Sequence, residues 1–201
     1  MKKNVVLVMG SHRSNANTAH WIHTMAVKLN DMGVSHTLID VNKLLIKPCI
    51  DCNFCKNNWG KCVHDDDMTQ VYQTLKLADI MIIATPVYFN SVTSKLKTLV
   101  DRCQMIFLCD FKHARPFACS LDISGKKGYI VSVGGASHYP NQFIGTEITL
   151  KLVFNNLRMP LTEHIKYSET DQKALKERIE AEADINRLSK AIYDEVMEIE
   201  G

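Results

Sequence analysis

The sequence predicts an α/β domain built on a doubly wound, five-stranded parallel sheet with helices on both faces. Three observations carry that prediction. Short runs rich in β-branched residues alternate with longer stretches of helical periodicity, the first run is apolar without interruption, and no linker, repeat or low-complexity tract divides the 201 residues. A single domain over 1–201 with a cysteine-rich loop at 47–67 accommodates the chain, and a hydrophobic content of 46% suffices for one full core.

Residues 4–9 (Asn-Val-Val-Leu-Val-Met) have strand length and the unbroken apolarity of a central parallel strand buried on both faces. The run ends at Gly10. Ala19, Ile22, Met25, Ala26 and Leu29 recur at helical spacing until Met32-Gly33 breaks the pattern, and residues 35–40 read as a second strand. After the cysteine loop, Met68, Val71, Tyr72 and Leu75 mark a short helix and residues 79–85 a third strand. Leu96, Leu99, Val100, Cys103 and Ile106 predict one further helix, residues 128–133 a fourth strand, 144–156 a helix and 161–167 a fifth strand. A long amphipathic helix carrying Leu175, Ile179, Ile185, Leu188, Ile192 and Val196 completes the order.

Composition narrows the partners. Formal charge is +2, from 24 basic and 22 acidic residues spread along the chain, so no basic face points to nucleic acid or an anionic membrane. A small molecule is the expected ligand. The apolar start is too short for a signal peptide and seven cysteines, an odd number, suit a secreted disulfide framework poorly; a cytoplasmic setting is expected.

Ligands of doubly wound sheets bind beyond the carboxyl ends of the strands, which selects three loops. The turn over residues 10–18 offers Ser11, Ser14, Asn17 and Thr18 as donors, Arg13 as a charge, and the start of a helix as an anion site. It lacks the Gly-Lys-Ser/Thr ending of nucleotide triphosphatases and the Gly-x-Gly-x-x-Gly of dinucleotide folds, so Asp40, which sits where a dinucleotide fold places its ribose-binding acid, is weak evidence for one. The competing reading is that Ser14 or Asn15 merely caps the helix. Thr85-Pro86-Val87-Tyr88-Phe89-Asn90-Ser91 places two aromatic rings beside a rigid proline, suited either to a flat aromatic ligand or to the core. Gly134 and Gly135, where the fourth strand ends, let backbone approach a ligand closely.

Four of the seven cysteines, Cys49, Cys52, Cys55 and Cys62, fall in a Cys-x2-Cys-x2-Cys-x6-Cys run. That is the thiolate set a cuboidal 4Fe–4S cluster requires, one per iron, although the spacing differs from the ferredoxin run. Tetrahedral zinc suits a continuous run less well than two separated pairs. Redox-active thiols are the third reading, since Lys56 and Lys61 can lower a thiol pKa. The insert Asn57-Asn58-Trp59-Gly60 raises the question of whether the fourth thiol reaches the others. Cys103 sits on an apolar helix face and reads as a small core residue, while Cys109 and Cys119 carry no assignment. His64 with Asp65, Asp66 and Asp67 reads as helix capping rather than a metal site, and His138 with Tyr139 stands close enough to the glycine loop to face a ligand.

Gly10-Ser11-x-Arg13-x-Asn15-x-Asn17-Thr18, Thr85-Pro86-Val87-Tyr88-Phe89, Lys97 and Asp101-Arg102 together resemble the NAD(P)H-dependent FMN reductase group of flavodoxin-like proteins. Pro48 with the four cysteines, followed by Asp65-Asp66-Asp67-Met68, resembles its iron–sulfur flavoprotein branch. The resemblance covers residues 3–137 and implies a flavodoxin-like fold. It implies that Ser11, Arg13, Ser14, Asn17 and Thr18 hold the FMN phosphate, that Pro86, Val87, Tyr88, Phe89 and Asn90 flank the isoalloxazine, and that Gly134 and Gly135 close its other side. It also implies NAD(P)H as co-substrate, a flavin, quinone or other small electron acceptor, and a homodimer or homotetramer. The protein then supplies orientation and electrostatics, with no catalytic acid or base, and a cluster adds a one-electron relay. The alternative is a non-enzymatic flavodoxin-like carrier fed by ferredoxin, which would ignore both nicotinamides.

Overall fold

In a computed structural model, which describes residues 3–117 and 125–197, five strands form one all-parallel sheet: β1 (Val5–Met9), β2 (His36–Asp40), β3 (Ile80–Pro86), β4 (Lys127–Val133) and β5 (Leu161–Tyr167). Their order is β2-β1-β3-β4-β5, the flavodoxin-like arrangement, so the chain reverses its direction of travel across the sheet between β2 and β3. That reversal opens a crevice at the carboxyl ends of β1 and β3. The helices are α1 (Asn17–Asp31), α2 (Phe54–Asn57), α3 (Met68–Leu77), α4 (Ser94–Arg102), α5 (Gln104–Phe111), α6 (Ile144–Asn156) and α7 (Ile179–Met197).

Strand side chains alternate between faces, and each face has its own core. Val5, Leu7, Met9, Ile80, Ile82, Val131 and Val133 meet α1 and α7. Val6, Val8, Met81, Ile83 and Ile130 meet α3, α4, α5 and α6. All five residues of β1 are buried, which is why that strand has no polar alternation in sequence.

The single helix expected through Ile106 is in fact two. The Tyr72 hydroxyl donates to the Arg102 carbonyl at 2.7 Å, and Cys103 N bonds back to Val100 O at 2.9 Å, tightening the turn that ends α4 before α5 begins. Leu175 likewise belongs to a separate 3₁₀ turn, Leu175–Glu177, and α7 starts at Ile179. The short α2 inside the cysteine loop has no apolar periodicity and was not anticipated from pattern. Cys119 lies outside the described residues.

Candidate functional site

β1 delivers the first loop to the crevice under tight constraint. Gly10 N donates to Ala84 O at 2.7 Å and Gly10 O accepts from the Thr93 hydroxyl at 2.6 Å. A Cβ at position 10 would stand 2.7 Å from Leu96 Cδ2 and 3.0 Å from Ala84 O, so glycine is needed for close packing. The turn then folds on itself, Arg13 N donating to the buried Ser11 Oγ at 3.0 Å.

The capping reading of this loop fails. The residue at the N-cap of α1 is Ala16, which makes no side-chain cap bond, and among the described residues the first turn holds no acid. The positive end of a fifteen-residue helix therefore opens on the crevice with no acid in its own first turn, the nearby carboxylate being that of Asp171 in the crevice wall. Asn17 is a strut: its Nδ2 donates to Thr170 O at 3.3 Å and its Oδ1 accepts Leu175 N at 2.9 Å. Its side chain is thereby engaged, and its backbone remains at the helix start.

The crevice is about 270 Å³ and is lined by Ser11, Arg13, Asn17, Thr18, Pro86, Val87, Tyr88 and Gly135 among the expected residues. Ser14 lines an adjoining groove of about 750 Å³ instead. Phe89, Asn90 and Gly134 stand outside the lining for identifiable reasons. Tyr88 and Ser91 exchange N–H···O bonds at 2.9 and 3.0 Å around a two-residue turn in which Phe89 (φ 50°) and Asn90 (φ 60°) are both left-handed. This lifts the Phe89 ring wholly into solvent and leaves Tyr88 45% exposed, so neither is a core residue. Asn90 anchors the turn, its carbonyl accepting Thr146 N and its Oδ1 the Tyr139 hydroxyl. Tyr139 thus acts on the turn, and His138 lines a separate hollow with Gln142, Glu147 and Lys166.

Gly134 is turned away, its N–H bonded to Tyr167 O and its carbonyl to the Thr170 hydroxyl. Gly135 lies in the wall, with the Asp171 carboxylate so close that a Cβ at 135 would be 2.3 Å from Oδ2. Thr170 and Asp171 line the crevice and carried no motif. Topology could have found them: the loop after a fifth parallel strand must emerge on the same rim.

The cysteine loop makes a second site that shares no lining residue with the crevice. Cys49, Cys52, Cys55 and Cys62 all line one hollow of about 20 Å³, together with His64, Gln104 and Leu108. The insert folds inward to make this so. Trp59 Nε1 donates to Arg115 O at 2.7 Å, the Arg115 guanidinium lies 4.1 Å from the indole centroid, and Phe117 packs on both Trp59 and Tyr72. Among the described residues no group of three or more His, Cys, Asp or Glu stands at metal-binding spacing. Burial raises the Cys55 pKa, and the neighbouring Cys62, Cys49 and Cys52 add to the rise against a backbone hydrogen bond. That shift opposes the lysine-activated thiol reading at this position. Cys103 is a buried thiol whose pKa burial pushes up to about 12, as a core residue requires. Cys109 packs beneath the loop, also raised by burial.

The acidic run does more than cap. Asp66 Oδ1 accepts Met68 N at the start of α3, but its carboxylate also takes Lys47 N and the Arg102 guanidinium, while Asp67 Oδ2 accepts Leu45 N at 2.7 Å. These bonds close the neck of the cysteine loop. Elsewhere Ser132, His164 and Glu147 stand in line at 2.7 and 2.9 Å, yet Ser132 is fully buried. The arrangement ties β4, β5 and α6 together and offers no nucleophile.

Comparison with known proteins adds the following. Residues 3–184 match the family model of the NADPH-dependent FMN reductases. An iron-sulfur flavoprotein of Methanocaldococcus jannaschii is 35% identical over 125 residues, 62% of this chain and 56% of its own length. A second from that organism is 30% identical over 151 residues, 75% of this chain and 69% of the relative. One from Methanosarcina thermophila is 27% identical over 120 residues, 60% and 62% respectively. The matched stretch thus spans little more than half of the first relative. Among solved structures, an FMN-dependent NADH-azoreductase from Bacillus anthracis in complex with FMN superposes with a TM-score of 0.67 at 11% identity, covering 96% of this chain and 100% of that one. The apo form of an NADH:FMN oxidoreductase gives 0.60 at 15%, covering 95% and 88%. At such identities these two establish the shared fold.

Proposed function

This chain belongs to the NADPH-dependent FMN reductase family, and from that premise we propose that it is an FMN-dependent oxidoreductase. It takes electrons from NADPH or NADH and passes them to a flavin, a quinone or another small acceptor. The observation that carries this reading is the uncapped start of α1 opening onto the crevice between Pro86–Tyr88 and Gly135.

The chain's residues fit the cofactor by chemistry. A phosphate dianion suits the first-turn N–H groups of α1, with the Ser11 and Thr18 hydroxyls beside them and Arg13 at the rim to balance charge. Pro86, Val87 and Tyr88 offer an apolar wall for a flat ring, and Gly135 gives the opposite wall its thinness. Asp171 can accept hydrogen bonds from polyol hydroxyls. When bound, the flavin supplies the redox chemistry, accepting a hydride and releasing electrons in pairs or singly. The chain's own work is to bind, orient and exclude water, and the reaction asks no acid or base of it.

A 4Fe–4S cluster held by Cys49, Cys52, Cys55 and Cys62 is part of this reading, supported by the chemistry of four soft thiolate donors, the set such a cluster takes, and by the four cysteines lining one hollow. The relatives' names as iron-sulfur flavoproteins favour the cluster over zinc. Assembly as a homodimer or homotetramer is part of the same reading, and the exposed stripe Ile144, Ile148 and Leu152 on α6 supports it.

The test is anaerobic purification followed by the visible spectrum, cofactor extraction, iron and sulfide assays, and rapid mixing with NADPH and NADH. Flavin bleached by a nicotinamide is the expected result. A bound flavin that neither nicotinamide reduces would convert the reading to a carrier, and a chain that binds no FMN would end it.

A further inference from the structure

Of the polar side chains that line the cysteine hollow outside the four-thiolate set, His64 carries a buried atom, Nε2, left without a hydrogen-bond partner among the described residues. Buried polar atoms in folded proteins are nearly always satisfied, so an orphan beside a cavity marks where a polar atom of a bound group belongs. Among the described residues His36 Nδ1, Arg102 Nε and Thr146 Oγ1 share this condition, and none of those residues lines the hollow.

The imidazole is held there by its neighbours. Immediately downstream, Asp66 is fixed by Arg102, Lys47 and Met68, and Asp67 by Leu45, so the segment carrying His64 has little freedom to swing away. A cuboidal cluster already finds one thiolate per iron in Cys49, Cys52, Cys55 and Cys62, which makes a fifth ligand surplus. Of the other lining side chains Ile50, Val63 and Leu108 are apolar, while Asp51, Asn53 and Gln104 are polar but exposed, the Asn53 amide donating to Asp51 O; a sulfur-rich group would find its buried, unpartnered donor at His64. An N–H directed at sulfur stabilises the added electron of the reduced state and so raises the reduction potential.

We propose that His64 is a positioning residue of the cysteine site, its Nε2–H donating a hydrogen bond to a sulfur atom of the bound cluster and setting the cluster's potential. This rests on the cluster reading above, and the experiment separates the two. The full chain is loaded anaerobically with ferrous iron and sulfide, assayed for both, and titrated potentiometrically beside His64→Phe, which fills the site without a donor, and His64→Gln, which restores one.

All three proteins should hold iron and sulfide alike. His64→Phe should titrate lower by at least tenfold in the reduction equilibrium, about 59 mV for one electron, with His64→Gln recovering most of the difference. In the wild-type protein, transfer to deuterium oxide should reveal an exchangeable proton coupled to the reduced cluster, a signature that needs no variant to fold. Equal potentials in all three proteins, or no coupled proton, would overturn the role of His64 while leaving the cluster in place. Loss of iron from His64→Gln as well as His64→Phe would make the imidazole a ligand and overturn it too. A wild-type chain that takes up no iron and sulfide defeats the cluster reading itself and this role with it.

Discussion

Arg102 and Asp66 form a two-pronged, buried ion pair, Nη1 lying 2.7 Å from Oδ2 and Nη2 3.2 Å from Oδ1, with the side chains only 1% and 4% exposed. Nη1 also donates to Lys47 O at 2.8 Å, so one guanidinium joins the end of α4 to both limbs of the cysteine loop. Burial acts to raise the Asp66 pKa, but the Arg102 hydrogen bonds and charge, with N–H donors from Lys47 and Met68, outweigh it and hold the carboxyl below the usual carboxylate range. The sequence motifs at 65–68 and 101–102 therefore describe a clasp.

Replacing Asp66 with Asn leaves a buried guanidinium without its counter-charge. The expected loss is about 3–5 kcal/mol, which for a chain of this size lowers Tm by roughly 10 °C. Replacing Lys97 or Asp101, whose 2.7 Å pair is half exposed on both sides, should cost under about 1 kcal/mol. Equal losses at the two sites would show that the clasp is no stronger than a surface pair.

The same carboxylate sets an acid limit. A group whose folded pKa is depressed contributes its stability above the unfolded value near 4, and that contribution disappears as pH falls through the folded pKa. Urea unfolding followed downward from neutral pH should show stability falling below about pH 4, with a shallower fall in Asp66→Asn. Glu147, lowered by its bonds to His164 and Lys166, acts in the same direction and will remain in the variant.

The start of α1 allows cofactor binding and fold stability to be moved in opposite directions. Ala16 has the extended backbone of an N-cap, φ −102° and ψ 177°, so Asp fits there and can accept the N–H groups now left open. Ala16→Asp should stabilise the flavin-free protein by about 1 kcal/mol and weaken FMN binding at least tenfold, by occupying the donors and opposing the phosphate. Calorimetry of the apo protein and fluorescence titration with FMN measure the two effects. Unchanged FMN affinity would remove the phosphate from this helix.

What could be read from the sequence depended on whether the cause was local. β1 was legible because burial on both faces leaves a continuous apolar run, and the first loop because topology alone directs attention to the end of that strand. The cysteine set was legible from spacing. The division of α4 from α5 was not, because it is made by a hydroxyl thirty residues away, on Tyr72. Asp171 was missed because its place follows from the neighbour of β5 in the sheet, not from the residues around it. The left-handed turn at Phe89-Asn90 was hidden because neither residue is the glycine that such a turn prefers.

That turn yields a prediction in which backbone and ring separate. Holding an aromatic residue at φ 50° costs about 1–3 kcal/mol, a cost retained by Ala and relieved by Gly. Phe89→Gly should therefore be more stable than Phe89→Ala by about 1 kcal/mol or more. If the exposed ring serves the ligand, both variants should lose turnover or affinity alike, because both lack it. Loss in the glycine variant alone would assign the effect to turn geometry instead.

Trp59 supplies the last prediction, because it decides whether the fourth thiol belongs to the hollow. Its indole is held by a hydrogen bond to Arg115 O, by the Arg115 guanidinium over its face, by the Phe117 ring at 6.2 Å, and by Lys76 Nζ at 5.8 Å. Cys62 follows three residues later and has no helix or strand of its own to place it. Trp59→Ala removes all four contacts, each worth on the order of 1 kcal/mol, and frees the Cys62 limb while Cys49, Cys52 and Cys55 keep their own turn. After anaerobic loading, the variant should retain less iron per chain and lose it faster to chelator, approaching the behaviour of Cys62→Ser. FMN affinity should stay unchanged, because the crevice and the hollow share no lining residue. Full iron retention in Trp59→Ala, with loss in Cys62→Ser, would mean that Cys62 finds its place without the indole.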